Sequence, residues 1–321
     1  MRSSQVVTEL LRVSDMTNKH LKRRQFLDRA AETFILTIAS IAIGIILLIF
    51  VYVGREALPL LWGGTEGASI AGTVAPPVEW QPVSANPRYN VIPLVLGTLK
   101  VTLIAMLFAT PLALAAALYT SEFAPVRIRE WIKPMIELLA GIPSVVMGFF
   151  ALIVLASWLQ AQFGFEFRLN ALNAGIALAL AVIPIIYTVS EDAFNAVPQH
   201  YREASLALGA SKIQTAVRVV FPAAMPGVGA AMILGFGRAI GETMIVLMAS
   251  GNAAYVSLSP LVSTRTLSAT VAAELGEVVF GGGHYRILFF LGTLLFVVTS
   301  VLNWIGDRYN RRMRMKLFGA E

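Results

Sequence analysis

Six stretches of the chain are apolar over lengths that suit a membrane-crossing helix, and polar segments of unequal length separate them. They cover Thr33–Val53, Ile92–Tyr119, Ile136–Leu155, Leu172–Val189, Pro222–Ser250 and Ile287–Ile305. A hydrocarbon core about 30 Å thick is crossed by roughly 20 helical residues, so the pattern predicts an all-α integral membrane protein with six transmembrane helices. The first stretch is too long for a signal-peptide core, and no clear small-residue cleavage site follows it, so it is expected to remain in the protein. Alanines crowd the second (Ala105, Ala109, Ala113, Ala115, Ala116, Ala117), which permits close helix approach.

The polar segments divide the chain. Residues 1–32 mix basic and apolar positions, which suits a cytoplasmic arm, either as a short interfacial helix or as a solvated tail. Residues 54–91 are Gly-rich and then Pro-rich, with Trp62, Trp80 and Tyr89, and read as an ordered loop at the outer interface. Residues 190–221 form the longest polar stretch on the inner side, and 251–286 a second long outer connection. A six-span domain over 33–310 and a basic tail over 311–321 complete the division.

Composition agrees with the pattern. A chain of 321 residues that is 57% hydrophobic and 14% charged, with a mean hydropathy of +0.72, falls outside the soluble globular class. Its formal charge of +6 would suggest nucleic acid in a soluble domain, but the placement of the basic residues argues for membrane topology instead. Of 25 Lys and Arg, Lys100 and Arg238 fall within spans, five (Arg55, Arg88, Arg168, Arg265, Arg286) lie on one side and 18 on the other. The asymmetry selects both termini and residues 190–221 as cytoplasmic. There is no cysteine, so neither disulfides nor thiolate sites arise, and His20, His200 and His284 lack metal-ligand spacing.

Two charges interrupt the fifth apolar stretch, Arg238 and Glu242. Each costs roughly 2.5–3.5 kcal/mol at a bilayer centre, so water, a partner or a ligand must face them. A spacing of four would put both on one helix face, where they could neutralise each other, although the acid-first order is the better intrahelical one. The alternative is that Arg238 lines an aqueous path and offers a planar guanidinium to an oxyanion, with Glu242 balancing it between substrates. In the third stretch, Gly141-Ile142-Pro143-Ser144 predicts a helix break, because proline removes a backbone donor and clashes with the preceding turn. Such breaks often border transport sites, and a kink that serves packing is the alternative. Lys100 is expected to snorkel outward.

Within the inner loop, Glu203-Ala204-Ser205-Leu206-Ala207-Leu208-Gly209, followed by Val219-Val220-Phe221-Pro222, resembles the EAA loop of ABC importer permeases. Glu203, Ala204, Gly209 and Pro222 keep that pattern; Ser205, Val219 and Phe221 depart from it. Gly209 would let the chain turn sharply between two short helices, and Glu203 would pair with a basic group on a partner or cap a local turn. The chain is similar over most of its length to phosphate ABC transporter permeases. The stretches that carry this are Leu96-Gly97-Thr98-Leu99-Lys100, Leu139 to Val146, and Gly237-Arg238-Ala239-Ile240-Gly241-Glu242-Thr243. Its long first outer loop with Trp80 resembles the PstC type more than the PstA type.

The resemblance implies a type I ABC importer permease fold in a bacterial cytoplasmic membrane. It implies a substrate pathway through Arg238, Glu242, Ser144 and Thr243, with Gly141 and Pro143 as the helix break and Glu203, Ala204 and Gly209 as the coupling element. The partners it implies are a PstA-like second permease, PstB-like ATPases that hold ATP and Mg, and a PstS-like phosphate-binding protein. No cofactor, metal or nucleic acid is expected on this chain, and no catalytic residue. Energetics also call for an external motor. Bringing one negative charge into a cell at about −100 mV costs roughly 2.3 kcal/mol, and each tenfold accumulation adds about 1.4 kcal/mol. The sequence has no Gly-x-x-x-x-Gly-Lys-Ser/Thr pattern, so the motor is expected on another chain. Another oxyanion, sulfate or molybdate, would suit the same physics, and a non-transporting scaffold or signalling subunit would not need Arg238.

Overall fold

The computed structural model describes residues 2–62 and 70–318, with side chains described at most positions between 28 and 315. The chain divides into two units, Met1–Arg55 and Glu56–Glu321. Among the described residues, six helices are long and apolar enough to cross a membrane: Asp28–Leu60, Ile92–Glu122, Ser144–Phe163, Ala171–Asn195, Lys212–Gly241 and Gly283–Met313. Their number agrees with the apolar pattern, while the third and fifth have different boundaries.

The first unit is built from α1 (Arg2–Ala57), a single helix of 56 residues. The arm over 1–32, expected as a separate interfacial helix or a solvated tail, therefore runs without a break into the first span. The reason is local, since no glycine or proline precedes Gly44. From Phe34 to Tyr52 its large apolar side chains are exposed, as a lipid-facing helix requires.

The second unit begins with a 3-10 turn (Leu58–Trp62), α2 (Ile70–Val74) and a short antiparallel pair, β1 (Trp80–Gln81) and β2 (Arg88–Tyr89). Trp80 and Tyr89 are buried there with Leu60, Leu94, Leu267 and Ile287 in a small apolar cluster. The described residues of the loop expected over 54–91 carry these elements, and residues 63–69 lie outside the described ones.

Helix α3 (Ile92–Glu122) then packs along α7 (Ala171–Asn195). Ala105, Ala109, Ala113 and Ala117 recur every fourth residue and are fully buried, so they form one smooth stripe on which α7 lies close. Lys100 donates to the carbonyl oxygens of Ser257 (2.9 Å) and Ser259 (3.1 Å), so its charge leaves the span as expected.

Between these helices lie α4 (Val126–Ala140), α5 (Ser144–Phe150), a π turn at Ala151–Leu155 and α6 (Ala156–Phe163). After α7 come α8 (Gln199–Ala207), α9 (Lys212–Thr215), a second π turn at Ala216–Val220 and α10 (Phe221–Gly241). α10 crosses α7 in the antiparallel sense: a Cβ on Gly227 would meet the Ala193 side chain, and one on Gly235 would meet Ile186 and Val182. The chain ends with α11 (Met244–Ala249), α12 (Leu267–Glu274) and α13 (Gly283–Phe318), the last packed on α10. One end of this unit carries α8 and α9, and the other carries α12 and the β pair.

Candidate functional site

The fifth span stops at Gly241. Glu242 has extended backbone angles (φ −67, ψ 131), and α11 starts only at Met244, so the continuous helix expected over Pro222–Ser250 is two helices with a break between them. Glu242 therefore does not lie one turn above Arg238 on a shared face, and no ion pair joins the two side chains. Glu242 Oε1 instead accepts from the backbone N–H of Thr243 (3.1 Å), and the Thr243 hydroxyl donates to the Gly241 carbonyl (3.2 Å).

Arg238 ends up in the last turn of α10, where the carbonyl ends of the helix favour a cation. Its side chain is exposed and bonds to no other described residue. The crossing on α7 fixes its height. Gly235 lies level with Val182 and Ile186, so three residues further on Arg238 is about 15 Å from the first residue of α7 and about 20 Å from its last, at 1.5 Å per residue. A permanent cation, uncovered by its own chain, stands near the half-height of the bundle.

A second break faces the first. α4 ends at Ala140, Gly141 takes the last helical hydrogen bonds, and Pro143 turns the chain (ψ 138) before α5. Proline pushes the residue before it out of the helical region, which is why the break falls at Ile142-Pro143. The break expected at Gly141 and Pro143 is thus present, and the span proper begins after it rather than at Ile136. α5 and α11 are in contact through Gly148, where an added Cβ would lie 3.0 Å from the Met244 carbonyl oxygen and 3.2 Å from Ile245 Cα. α11 also packs against Ala151–Leu155. Ser144 and Thr243 are both half-buried. The structure so brings Arg238, Glu242 and Thr243 to one level, at the break after α10, and sets Ser144 at the other break, directly after Pro143. Because Gly148 has no spare room, Gly148→Leu is expected to destabilise the protein by about 1–3 kcal/mol through overpacking, read as a lowered Tm; Gly148→Ala should cost less.

The segment over 251–286, expected as an outer connection, also reaches this level. Leu267 N donates to Thr98 Oγ1 (3.0 Å), and Ser268 Oγ donates to the Glu242 carbonyl oxygen (2.8 Å). Ser268, missed in the sequence, had no signal there beyond a hydroxyl in a short apolar run. At its far end α12 carries Glu274, whose carboxylate accepts from Trp80 Nε1 (3.1 Å) and pairs with Arg265 (2.8 Å) and His284 (2.8 Å). Burial pushes that carboxyl up, but the His284 and Trp80 hydrogen bonds and the Arg265 charge outweigh it and hold it below its ordinary value, so it stays ionised at neutral pH.

At the opposite end, Glu203, Ala204 and Gly209 form a helix-turn-helix. Glu203 and Ala204 lie exposed on α8, and Gly209 makes the turn with φ +84 in the left-handed region, as its conformational freedom suggested. Ser211 starts α9 with a capping box: its hydroxyl accepts from Gln214 N (3.2 Å) and its own N–H donates to Gln214 Oε1 (2.9 Å). Glu203 caps no local turn and is free among the described residues, while Leu208, at 89% exposed, and Ile213 leave an apolar surface uncovered. Side chains of α8 and α9 position this element. Arg202 pairs with Glu122 (2.6 Å) at the end of α3 and donates to the Phe194 carbonyl oxygen (2.8 Å) on α7, and Ser205 and Thr215 share a hydroxyl hydrogen bond of 2.9 Å. These bonds tie α8 to α3 and α7.

Three comparisons bear on the whole chain. It is 37% identical over 223 residues to the probable ABC transporter permease protein YqgH of Bacillus subtilis (strain 168), covering 69% of this chain and 72% of that protein. Over 296 residues it is 32% identical to the phosphate transport system permease protein PstC of Xylella fastidiosa (strain 9a5c), covering 86% of this chain and 89% of that one. Its fold matches a chain of the inward-facing MetNI methionine ABC transporter with a TM-score of 0.54 and 19% identity, over 70% of this chain and 95% of the other, a likeness of fold alone. Residues 109–315 match the family described as the binding-protein-dependent transport system inner membrane component. With its six spans, its two interrupted helices and its exposed helix-turn-helix, the chain is a member of that family.

Proposed function

We propose that this chain is the membrane permease subunit of an ATP-driven importer of inorganic phosphate, of the PstC type. The observation that carries the reading is Arg238: an exposed guanidinium without a partner in its own chain, near half-height, beside two helix breaks. A charge in that position is costly against lipid and useful against an oxyanion, to which it offers planar, bidentate hydrogen bonds. Names of relatives at about one-third identity point to the same substrate. Ser144 supplies a hydroxyl donor at the neighbouring break, and Glu242 and Thr243 line the break beside Arg238.

Both termini and the α8–α9 element face the cytoplasm in this reading, as the Lys and Arg asymmetry favours. A PstB-like ATPase holding ATP and Mg docks on Glu203, Ala204 and the exposed Leu208 and Ile213. A PstA-like permease covers the other side of the path, and a PstS-like binding protein delivers phosphate to the α12 end. Closure of the ATPase moves α8, and the Arg202 to Glu122 pair carries that motion into α3, so that the path opens alternately to the two sides.

The test is uptake of radiolabelled phosphate by the reconstituted complex, with unlabelled anions as competitors. Phosphate is expected to compete fully, and sulfate and molybdate at the same concentration to leave most uptake intact. Equal competition by sulfate or molybdate would reassign the substrate, and no uptake by an assembled complex would leave a scaffold role.

A further inference from the structure

Glu274 gathers the β pair, the first turn of α13 and, from the opposite end of α12, the Arg265 side chain. Its carboxylate accepts from the indole N–H of Trp80 on β1, pairs with Arg265 just before α12, and pairs with His284 in the first turn of α13. Trp80, Tyr89 and His284 close over it, with ring centroids 5.7–6.3 Å apart. The Glu274, Arg265 and His284 side chains are at most 20% exposed, so water competes little for their bonds.

The other end of α12 is equally fixed. Thr266 caps its first turn, Leu267 N is held by Thr98, and Ser268 is bonded to the Glu242 carbonyl in the helix break. A Cβ on Gly97 would collide with the Arg265 carbonyl oxygen, so this end rests directly on the α3 backbone. α12 is eight residues, about 12 Å long. It spans from the β pair, whose connecting turn exposes Val83 at 93%, to the break beside Arg238.

We propose that Glu274 is a positioning residue for transport: through α12 and Ser268 it passes movement of the β pair to the Gly241–Thr243 break, and so links binding-protein docking to the opening at Arg238. The inference rests on the transport reading above. A helix held by charge-assisted bonds at one end and by a backbone carbonyl at the other cannot absorb a displacement along its length, so a push on Trp80 arrives at Glu242.

The experiment compares Glu274→Gln, Trp80→Phe and Ser268→Ala with the unaltered complex, each reconstituted with its ATPase and binding protein, and reads basal and binding-protein-stimulated ATP hydrolysis separately. Basal hydrolysis is expected to be unchanged. Stimulation should fall about tenfold in Glu274→Gln and Ser268→Ala, the scale of one charge-assisted or buried hydrogen bond, and about threefold in Trp80→Phe. The double variant Glu274→Gln with Ser268→Ala should be no worse than either single one, because both cut the same link. Full stimulation in Trp80→Phe and Ser268→Ala overturns the inference whether or not Glu274→Gln assembles, as do additive losses in the double variant. An unaltered complex that shows no stimulation fails the transport reading itself, which separates the two.

Discussion

Arg238→Gln is expected to lower phosphate uptake by the assembled complex by at least about 100-fold while leaving assembly intact. The size follows from the setting. A charge-assisted interaction made away from bulk water is worth about 2–5 kcal/mol, and each 1.4 kcal/mol is tenfold. Glutamine keeps much of the volume and loses the permanent charge and the five-donor fork. Folding should be spared, because Arg238 is exposed and bonds to no other described residue of its own chain. Arg238→Lys keeps the charge as a single point and should retain part of the uptake. The measurement is radiolabelled phosphate uptake, normalised to co-purified subunits. Uptake by Arg238→Gln at the unaltered rate would remove Arg238 from the path and with it the proposed mechanism.

Gly209→Val is the second large effect expected, here on coupling. Nothing lies within 4 Å of a Cβ on Gly209, so the substitution clashes with no neighbour. What it disturbs is the backbone, since φ +84 is a region that a β-branched residue avoids. The cost of about 1–3 kcal/mol is relieved by turning α8 against α9, and that displaces Glu203 and Ala204 from their place on the exposed face. Uptake is expected to fall at least about tenfold, with ATP hydrolysis by the complex no longer tied to it. Gly209→Asn, which tolerates the left-handed region, should stay within about threefold of the unaltered protein. Equal loss in both variants would mean that the turn's conformation is not what matters. The ratio of phosphate moved to ATP hydrolysed, measured in proteoliposomes, distinguishes the cases.

How legible these sites were depended on which physical signal marked them. The break after Ala140 was visible because proline at 143 cannot donate a hydrogen bond, a fact of covalent structure. The break at Gly241–Thr243 was not, since Gly-Arg-Ala-Ile-Gly-Glu-Thr-Met contains no proline and apolar residues continue on both sides. There the chain leaves the helix in a tertiary setting: Ser268 comes from 26 residues away to hold the Glu242 carbonyl. For the same reason the spacing of Arg238 and Glu242 misled, because a four-residue interval places two side chains together only if the helix continues between them. α12 escaped notice as an eight-residue helix with no long apolar run. The helix-turn-helix around Gly209 was readable because its turn is specified locally, by a glycine that adopts positive φ; the Ser211–Gln214 capping box that starts α9 went unread. Arg202 was plainly present in the sequence, yet its partner Glu122 is 80 positions away, and nothing short-range announces such a pair.

The uncovered guanidinium has a bearing on biogenesis as well. A copy inserted alone into the bilayer would leave that group to acyl tails, at roughly 2.5–3.5 kcal/mol, a sizeable fraction of the 5–15 kcal/mol that holds an ordinary fold together. Relief comes from water or from a neighbouring chain, so a solitary copy carries a cost that assembly would remove.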